Sequence, residues 1–435
     1  MEYARAFQEM NTRHTNTLVV LSPSLHPAML LAAKRLGFTL LVKPDQKTLE
    51  TTIEEADIVH LHYWNSPAVN EFLHQSLPPC RLVIWYRVFG EFAPHCITDF
   101  HLRRADAVLA TSEGSLKLPL LDQFTRPSGF APGIADFSRL ENFSPQSHDD
   151  FNVTYVGTVN PAKMHPHFFE MSQQIEIPNL RILICGAGGG AEFLDRVNQA
   201  PRFDNRGFVE NIREVLEISD VFGYPLCSET YATSEQSVQE AMWAGIPPVV
   251  FPHGGLSSLV EHEKTGLVVH SEQQYVDAIE YLFRNPSQRS RLAENARSFA
   301  QTRFRITKHA EQLLQIYQNL VDMPATAKQP TGLGPAERFL ASLDESTSSF
   351  LQAVTIPSNE AALDESRREQ VFYFLMTHGE GGINHYRNCH PEVPQFRLWT
   401  ALALWNSNRE SSIRELEAAE VAGLDVSWLL KTMRS

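Results

Sequence analysis

The stretch from Thr230 to Val269, TYATSEQSVQEAMWAGIPPVVFPHGGLSSLVEHEKTGLVV, carries the densest structural pattern in this 435-residue chain. Its apolar spacing predicts a helix over Glu235–Ala244, followed by buried strands at Pro248–Phe251 and Gly266–Val269. Glycines separate these elements and mark tight turns. A helix, a strand, a glycine turn and a second strand in this order are typical of a parallel α/β sheet.

Strand and helix patterns alternate in the same way on both sides of that stretch. Further strands are predicted at Thr17–Ser22, Thr39–Val42, Ile58–His62, Leu82–Tyr86, Ala107–Ala110, Asn152–Gly157, Arg181–Gly186 and Val221–Tyr224. Helices are predicted at Pro27–Leu36, Ala68–Gln75, Thr98–Arg103, 165–174 and Ile212–Ile218, with two or three more between Gln274 and Leu320. The turn-rich run Phe130–Asp136 divides this alternation into two doubly wound α/β halves, whose ligand should lie in the cleft at the carboxyl ends of the strands.

Composition shifts divide the chain into five predicted segments. They are an N-terminal lobe (1–136), a linker (137–151), a second lobe (152–321), a Pro/Gly/Thr-rich linker (322–335) and a helical extension (336–435). The extension has no strand pattern, and its predicted helices are Arg367–Thr377, Phe396–Trp405 and Ser411–Ala422. The last two resemble one helix-turn-helix repeat unit, which is too little to establish an array.

Charge and composition exclude several classes of protein. The 37 Lys and Arg against 51 Asp and Glu give a net charge of -14, which disfavours nucleic acid and anionic membranes as partners. No apolar run reaches the length of a membrane helix, and the N-terminus has no signal-peptide pattern, so we expect an integral membrane segment to be absent and the location to be cytoplasmic. The five cysteines form no C-x-x-C pair, which predicts reduced thiols without a zinc site.

The quoted stretch combines a helix start with a nearby carboxylate. The N-terminus of a helix concentrates unpaired N–H groups and the positive end of the helix dipole, which suits a diphosphate. A carboxylate such as Glu240 accepts hydrogen bonds from ribose or sugar hydroxyls. Together they indicate a nucleotide-sugar ligand.

Over about residues 15–320 the chain resembles the retaining, nucleotide-sugar-dependent glycosyltransferases of the GT-B fold, family 4 or group 1 type, which share an E-x7-E signature. The family's second-lobe pattern is matched by Glu240-Ala-Met, Ala244-Gly245-Ile-Pro247, Gly254-Gly255, Thr265-Gly266 and Gly157-Thr-Val-Asn-Pro-Ala-Lys163. First-lobe and interlobe elements of the family are similar to Asp57-Ile-Val-His60-Leu-His62, Ala105–Ser112 and Pro132-Gly133-Ile134. The resemblance implies two Rossmann-like domains that face a cleft, with the helical extension as an all-α addition.

Four positions depart from the family pattern. Ala232 stands where the first signature glutamate belongs, which leaves Glu229 and Glu235 as substitutes. Thr158 replaces an arginine, and Ser258 replaces a glutamate. Tyr86-Arg87 stands in place of a first-lobe histidine. These changes concern the contacts to the donor sugar and favour a divergent or inactive member.

The resemblance also implies a role for each site residue. Lys163, the amides near Thr233–Glu235 and the Gly254-Gly255 loop would stabilise the leaving diphosphate, Glu240 would hold the ribose, and Glu235 or Glu229 would orient the sugar. The predicted donor-binding set is Gly157, Thr158, Lys163, Gly186, Gly188, Thr233, Ser234, Glu240, Gly254 and Gly255. His62, Asn65 and Arg87 would face the acceptor. The expected donor is a UDP- or GDP-sugar, with no metal requirement, and the helical tail would mediate oligomerisation, recruit a protein partner or brace the lobes.

The donor-side motifs also have structural explanations that the sequence leaves open. Ser237-x-x-Glu240 fits a capping box, Lys163 fits an ordinary surface lysine, and Gly254-Gly255 fits a tight turn. Gly186-Ala-Gly188-Gly-Gly-Ala191 fits a dinucleotide fingerprint. Because the predicted strand Asn152–Gly157 precedes it in the same lobe, we prefer a plain strand-to-helix turn.

Two groups of aromatic residues also allow both a functional and a structural interpretation. His60 and His62 alternate on one strand face and fit either metal ligands or a satisfied strand-end pair. The second is preferred because no carboxylate cluster accompanies them. Trp399, Trp405 and Trp428 fit the core of the helical tail better than a base-stacking platform, given the acidic charge.

Three functions are consistent with these patterns. The first is a glycosyltransferase that moves a sugar from a nucleoside diphosphate to an acceptor hydroxyl with retention of configuration. The second is a catalytically silent GT-B module that binds a nucleotide-sugar or a partner. The third, a nucleotide-sugar epimerase, needs an acid/base pair that the sequence does not place.

Overall fold

The structure is a computed structural model, and it describes residues 2–10, 12, 14–22, 27–188, 193, 195–197, 200–354, 381–405 and 408–434. Its strands are β1 (Thr17–Val20), β2 (Thr39–Val42), β3 (Val59–Tyr63), β4 (Leu77–Cys80), β5 (Leu82–Tyr86), β6 (Ala107–Ala110), β7 (Ser128–Phe130), β8 (Phe151–Val156), β9 (Leu180–Cys185), β10 (Phe203–Gly207), β11 (Val221–Tyr224), β12 (Pro248–Val250), β13 (Leu267–Val268) and β14 (Thr326–Lys328). The predicted helix at Arg367–Thr377 lies outside the described residues.

Helices alternate with these strands. Those of the two lobes are Glu2–Glu9, Pro27–Arg35, Gln46–Glu54, Pro67–His74, Asp99–Arg104, Pro119–Asp122, Phe168–Gln174, Ile212–Leu216, Gln236–Ala244, Glu272–Arg284, Pro286–Arg303 and Ile306–Val321. Those of the extension are Pro335–Ala341, Ser346–Val354, Ile383–Cys389, Pro394–Leu404, Arg409–Val421 and Ser427–Arg434. Short 3-10 turns occupy Ser115–Lys117, Phe137–Leu140 and Gly254–Ser258.

Two parallel sheets form the two lobes. The first has the order β3-β5-β6-β7, and the second has the order β10-β9-β8-β11-β12-β13. The strands β1 and β2 form a separate parallel pair. The strands β5 and β11 are buried along their whole length because helices cover both faces of each sheet. These sheets confirm the prediction of two doubly wound α/β halves with a helical extension.

A pair of strands that the sequence did not predict joins the first lobe to the segment that follows the second lobe. β4 contains two prolines, and it pairs antiparallel with β14, which lies inside the segment predicted as a linker. Proline cannot donate a ladder hydrogen bond, so it is found at sheet edges. The segment 322–335 therefore runs along the first lobe as part of its structure.

The helix Ile306–Val321 also returns to the first lobe. Its buried Leu313 and Leu320 share a core with Trp85 and Leu109 of the first sheet. Because the preceding helix, Pro286–Arg303, belongs to the core of the second lobe, the chain connects the two lobes a second time here.

The helical extension packs on the first lobe, and its core includes Ala93 and Cys96 of that lobe. Its core is built around Phe339, Phe350 and Trp399, with Trp405 and Trp428 partly buried against it, as predicted. The buried hydroxyl of Tyr386 donates to Asn65 Oδ1 at 2.9 Å. In the part of the chain that the structure describes, no helix combines the length and the apolar character needed to cross a bilayer.

Candidate active site

The two lobes meet where strands of the first sheet end. The amide of Phe89, shortly after β5, donates to the carbonyl of Tyr231 at 2.9 Å. Thr111, directly after β6, lies 2.9 Å from Thr233 between hydroxyl oxygens. The hydroxyl of Ser234 accepts from the amide of Gly133 at 2.8 Å. The loop 230–235 thus lies against the carboxyl end of the first sheet, which is where the pattern predicted the cleft.

A buried ion pair stands at this junction. Lys163 Nζ lies 3.2 Å from Glu235 Oε2, and the two side chains are 15% and 6% exposed. The hydroxyl of Tyr224, the last residue of β11, donates to the same carboxylate oxygen at 2.5 Å. Lys163 reaches the pair from the loop after β8. Two residues that the sequence selected separately, 72 positions apart, are therefore brought together.

Opposing effects set the protonation of Lys163. Burial by itself lowers the pKa of this amine because it penalises the charged form. The neighbouring Glu235 carboxylate and the hydroxyls of Tyr155 and Tyr231 outweigh burial, so the pKa of Lys163 is raised above its usual range. Lys163 is therefore a fixed positive charge with three N–H donors at neutral pH.

Glu235 has an unusual backbone conformation. Its φ of 37° and ψ of 69° lie in the left-handed region, and it stands at the N-cap position of the helix Gln236–Ala244. Non-glycine residues adopt this region rarely, and such residues cluster at functional sites. Glu229, the other candidate for the missing signature glutamate, is exposed on the turn that precedes this loop. Of the two, Glu235 is the one that contacts Lys163.

The glycines of the second lobe bring backbones together. A Cβ on Gly186 would lie 1.8 Å from the carbonyl oxygen of Gly157, and one on Gly188 would lie 2.3 Å from that of Val159. The turn after β9 therefore touches the turn after β8, which fits the plain strand-to-helix turn preferred above. Thr158 is exposed, and its carbonyl accepts from the hydroxyl of Tyr155 at 2.9 Å.

Gly254 and Gly255 pack against the loop that carries Thr233 and Glu235. The amide of Gly255 donates to the carbonyl of Ala232 at 3.0 Å. A Cβ on Gly255 would lie 1.7 Å from the carbonyl oxygen of Thr233, closer than any real contact. The glycine pair thus positions the loop 230–235 through its backbone.

Replacing Gly255 by alanine should lower the free energy of unfolding by about 1–3 kcal/mol, because the added methyl displaces the Thr233 carbonyl. Gly334→Ala is the matched control, since its added Cβ meets only Glu337 Oε2, at 3.6 Å. Its effect should stay below about 1 kcal/mol. Urea denaturation followed by circular dichroism measures both, and equal stability of the two variants would contradict the packing role of Gly255.

Glu240 lies inside the helix Gln236–Ala244 and is 3% exposed. Its carboxylate accepts a hydrogen bond from Arg139 Nη2 of the interlobe segment. Burial raises the pKa of Glu240, and Arg139 partly offsets this. The capping box is not formed, because the N-cap is Glu235 and makes no side-chain cap bond. A ribose hydroxyl would have to share Glu240 with Arg139 or displace it.

The first lobe contributes a stacked group of side chains. The Arg87 guanidinium lies 4.4 Å from the centre of the Trp85 ring, and the exposed ring of His62 lies 4.9 Å from it. Arg87 also borders the interlobe turn, because a Cβ on Gly133 would lie 2.9 Å from its Nη2. His60 contacts the hydroxyl of Tyr317, and burial, with Arg87 nearby, lowers the pKa of His60 to about 3. One ring nitrogen of His60 is therefore satisfied, whereas its Nε2 is buried without a hydrogen-bond partner among the described residues.

Asn65 has surroundings that do not fit the predicted acceptor-side role. It is 1% exposed, and its side chain donates to the Pro94 carbonyl and to Ser342 Oγ, the latter at 3.0 Å. Asn65 Oδ1 accepts from Tyr386 of the helical extension. All of these partners lie inside the protein, so the hydrogen bonds of Asn65 connect the extension to the first lobe. A role for Asn65 on the acceptor side is therefore not proposed.

Tyr231 lies in the candidate site, although the residue-by-residue prediction did not include it. Its hydroxyl bonds to the side chains of Asn160 and Thr158, and its ring lies 5.1 Å from that of Trp64, between centres. It therefore joins the Lys163 loop to the first lobe. The only signal for it was its position inside the quoted stretch, one residue after Thr230.

Comparison with known proteins agrees with this architecture. Residues 136–299 match the family described as "Glycosyl transferases group 1". A D-inositol 3-phosphate glycosyltransferase of Corynebacterium urealyticum is 30% identical over 176 residues, 37% of this chain and 39% of that protein. A GDP-mannose-dependent alpha-mannosyltransferase of Mycolicibacterium smegmatis is 28% identical over 180 residues, 38% of this chain and 44% of that protein. The chain thus spans less than half the length of these curated relatives.

Solved structures are similar to this chain over both lobes. A glycosyltransferase from Rickettsia africae superposes with a TM-score of 0.60 at 14% identity, covering 74% of this chain and 93% of that one. HepE of Anabaena, solved in complex with UDP, gives a TM-score of 0.57 at 15% identity, covering 73% and 96%. At this identity the likeness concerns the fold. The chain therefore has the GT-B fold, and its second lobe is similar to the group 1 glycosyltransferases.

Proposed function

We propose that this protein transfers a sugar from a nucleoside diphosphate to an acceptor hydroxyl, with retention of configuration. One observation carries the proposal: the buried Lys163–Glu235 pair at the junction of the lobes, held by Tyr224 and by a strained backbone at Glu235. A fixed cation beside a carboxylate is what an anionic leaving group and a hydroxyl-rich sugar require.

The chemistry follows from where charge develops. When the bond between the sugar and the diphosphate breaks, negative charge collects on the diphosphate. Lys163 supplies a positive charge in a water-poor setting, where electrostatic stabilisation is strongest. Thr233 and Ser234 lie just before the helix Gln236–Ala244, so their amides lie at the positive end of its dipole. Glu235, once Lys163 bonds to the diphosphate, keeps oxygens free to accept from sugar hydroxyls.

The contacts that close the junction are individually weak. The Thr111–Thr233 and Ser234–Gly133 bonds are single hydrogen bonds of 2.8–2.9 Å, each worth about 1 kcal/mol. Separation of the lobes would admit the donor, and their closure would exclude water from the reacting atoms. On the acceptor side, His62 and Arg87 are the remaining candidates.

The donor is proposed to be a UDP- or GDP-sugar. HepE was solved in complex with UDP and with UDP-glucose, and the mycobacterial relative is named as GDP-mannose-dependent. These names support the donor class.

A second candidate is a nucleotide-sugar-binding module without transfer activity. One contact favours it: Arg139 donates a hydrogen bond to the carboxylate of Glu240, the residue that the family resemblance assigns to ribose. Such a module would bind donors without releasing the nucleoside diphosphate.

A donor screen distinguishes the two. Purified protein is incubated with UDP-, GDP- and ADP-sugars, with and without cell extract as a source of acceptor, and scored for nucleoside diphosphate release and thermal stabilisation. We expect release with one donor, and stabilisation of about 2.7 kcal/mol when that donor is present at 100 times its Kd. Stabilisation without release would favour the binding module. No response to any donor would contradict both.

A further inference from the structure

A cluster of three metal-binding side chains lies beside the Lys163 loop. One ligand atom each from His165, His167 and Glu272 lies within 4.8 Å of the others. Across the ranges that the structure describes, no other three His, Cys, Asp or Glu side chains meet in this way. The two histidines belong to the segment between β8 and the helix Phe168–Gln174, whereas Glu272 opens the helix Glu272–Arg284.

The ligands are held in place by their surroundings. The His165 ring stacks on Phe251, with ring centres 5.0 Å apart and planes at 21°, and its amide donates to the Pro225 carbonyl at 3.0 Å. His167 Nδ1 lies 2.6 Å from Glu272 Oε1. His165 and Glu272 are half-buried and His167 is exposed, so water and ions reach the cluster without opening the lobes.

We propose that His165, His167 and Glu272 bind one divalent transition-metal ion of the Zn²⁺ class, with water completing the coordination. Two imidazole nitrogens and one carboxylate oxygen suit zinc, cobalt or nickel, whereas magnesium and calcium prefer sites built from oxygen alone. Three protein ligands with an open position form a complete zinc site of the kind that keeps a bound water.

The lone pairs that the ion needs are present. His165 Nδ1 now accepts a hydrogen bond from the amide of His167 at 3.2 Å, and this weak bond would give way to the metal. The proton held between His167 Nδ1 and Glu272 would leave to solvent, since metal binding at such ligands releases protons. The bound ion would cross-link the segment after β8 to the helix Glu272–Arg284. Lys163 stands two residues before His165, so this cross-link lies next to the proposed active site and outside it.

The test uses the full chain without an affinity tag. Zinc is titrated by calorimetry, and cobalt(II) is titrated by visible absorption, which reports bound imidazole and carboxylate ligands. We expect one ion per chain. His167→Ala removes a ligand nitrogen and Glu272→Gln removes the anionic carboxylate. Each should weaken binding at least about tenfold, because loss of a hydrogen-bond partner of a ligand already costs about that much. Circular dichroism verifies that both variants fold.

The matched control is His14→Ala, which removes an exposed histidine of the first lobe. Its zinc affinity should equal that of the unmodified chain. No stoichiometric zinc uptake, or the same affinity in the His167 and Glu272 variants as in the unmodified chain, would overturn the site. Equal weakening by His14→Ala would also overturn it, because binding would then be non-specific. None of these readouts depends on a sugar donor, so failure here and failure of the proposed transferase are distinguishable.

Discussion

Replacing Lys163 by methionine is expected to reduce nucleoside diphosphate release from the preferred donor by about a hundredfold or more. Removing one preorganised group that stabilises developing negative charge costs about this much in other enzymes. Methionine keeps the length of the side chain and removes the charge. The measurement is the initial rate of release at saturating donor, together with donor affinity from thermal shift.

The same substitution leaves Glu235 with an unpaired charge at a site that is 6% exposed, which is destabilising in itself. The double variant Lys163→Met/Glu235→Gln separates the two effects, because it removes both charges together. Its stability should recover most of what the single variant loses, while release of the diphosphate stays low. Recovery of activity in the double variant, or normal activity in the single one, would show that Lys163 serves the fold alone.

The second large effect concerns Lys328 in β14. Lys328 and Asp106 are both 8% exposed, and Lys328 Nζ donates to Asp106 Oδ2 at 2.8 Å. The amide of Leu82, at the start of β5, donates to the same oxygen at 2.7 Å. Lys328→Met leaves the Asp106 carboxylate buried without its cation, so the free energy of unfolding should fall by about 3–5 kcal/mol. Urea denaturation monitored by tryptophan fluorescence measures the change.

Lys308→Met is the control for that prediction, because Lys308 is an exposed residue of the helix Ile306–Val321. Its effect should stay within about 0.5 kcal/mol. If Lys328→Met were equally mild, the segment 322–335 would be the passive linker that its composition indicates. A large loss for Lys328→Met alone would establish it as part of the first lobe.

Local patterns in the sequence predicted most of the α/β framework. The apolar runs of β5, β6 and β11 match the structure residue for residue, because a strand buried on both faces must be apolar throughout. The sequence also predicted turns at Gly186 and Gly255, and the structure shows that another backbone segment approaches each of these two glycines closely. β4 escaped prediction because its two prolines argue against a strand, and β14 because its composition is that of a linker.

The sequence predicted individual residues of the candidate site but not which of them contact each other. The sequence selected Lys163, Glu235 and Glu240 from motifs, and it left Glu229 and Glu235 as equal alternatives for one role. Only the tertiary structure shows that Glu235 pairs with Lys163 and that Glu240 pairs with Arg139. It also shows that Asn65 bonds to the helical extension. It also brought Glu272 to His165 and His167.

One physical reason explains why the secondary structure could be predicted and the contacts between distant side chains could not. Along a helix or strand, buried positions recur with the period of that element, so the pattern of apolar residues within one segment is enough to predict it. The partner of a polar side chain depends on which distant segments meet in space. Lys163 and Glu235 are 72 positions apart, and Asn65 and Tyr386 are 321 apart, so no local pattern contains either contact. The sequence by itself therefore determined the fold and the candidate residues, and the meeting of the two lobes and the extension decided what each residue contacts.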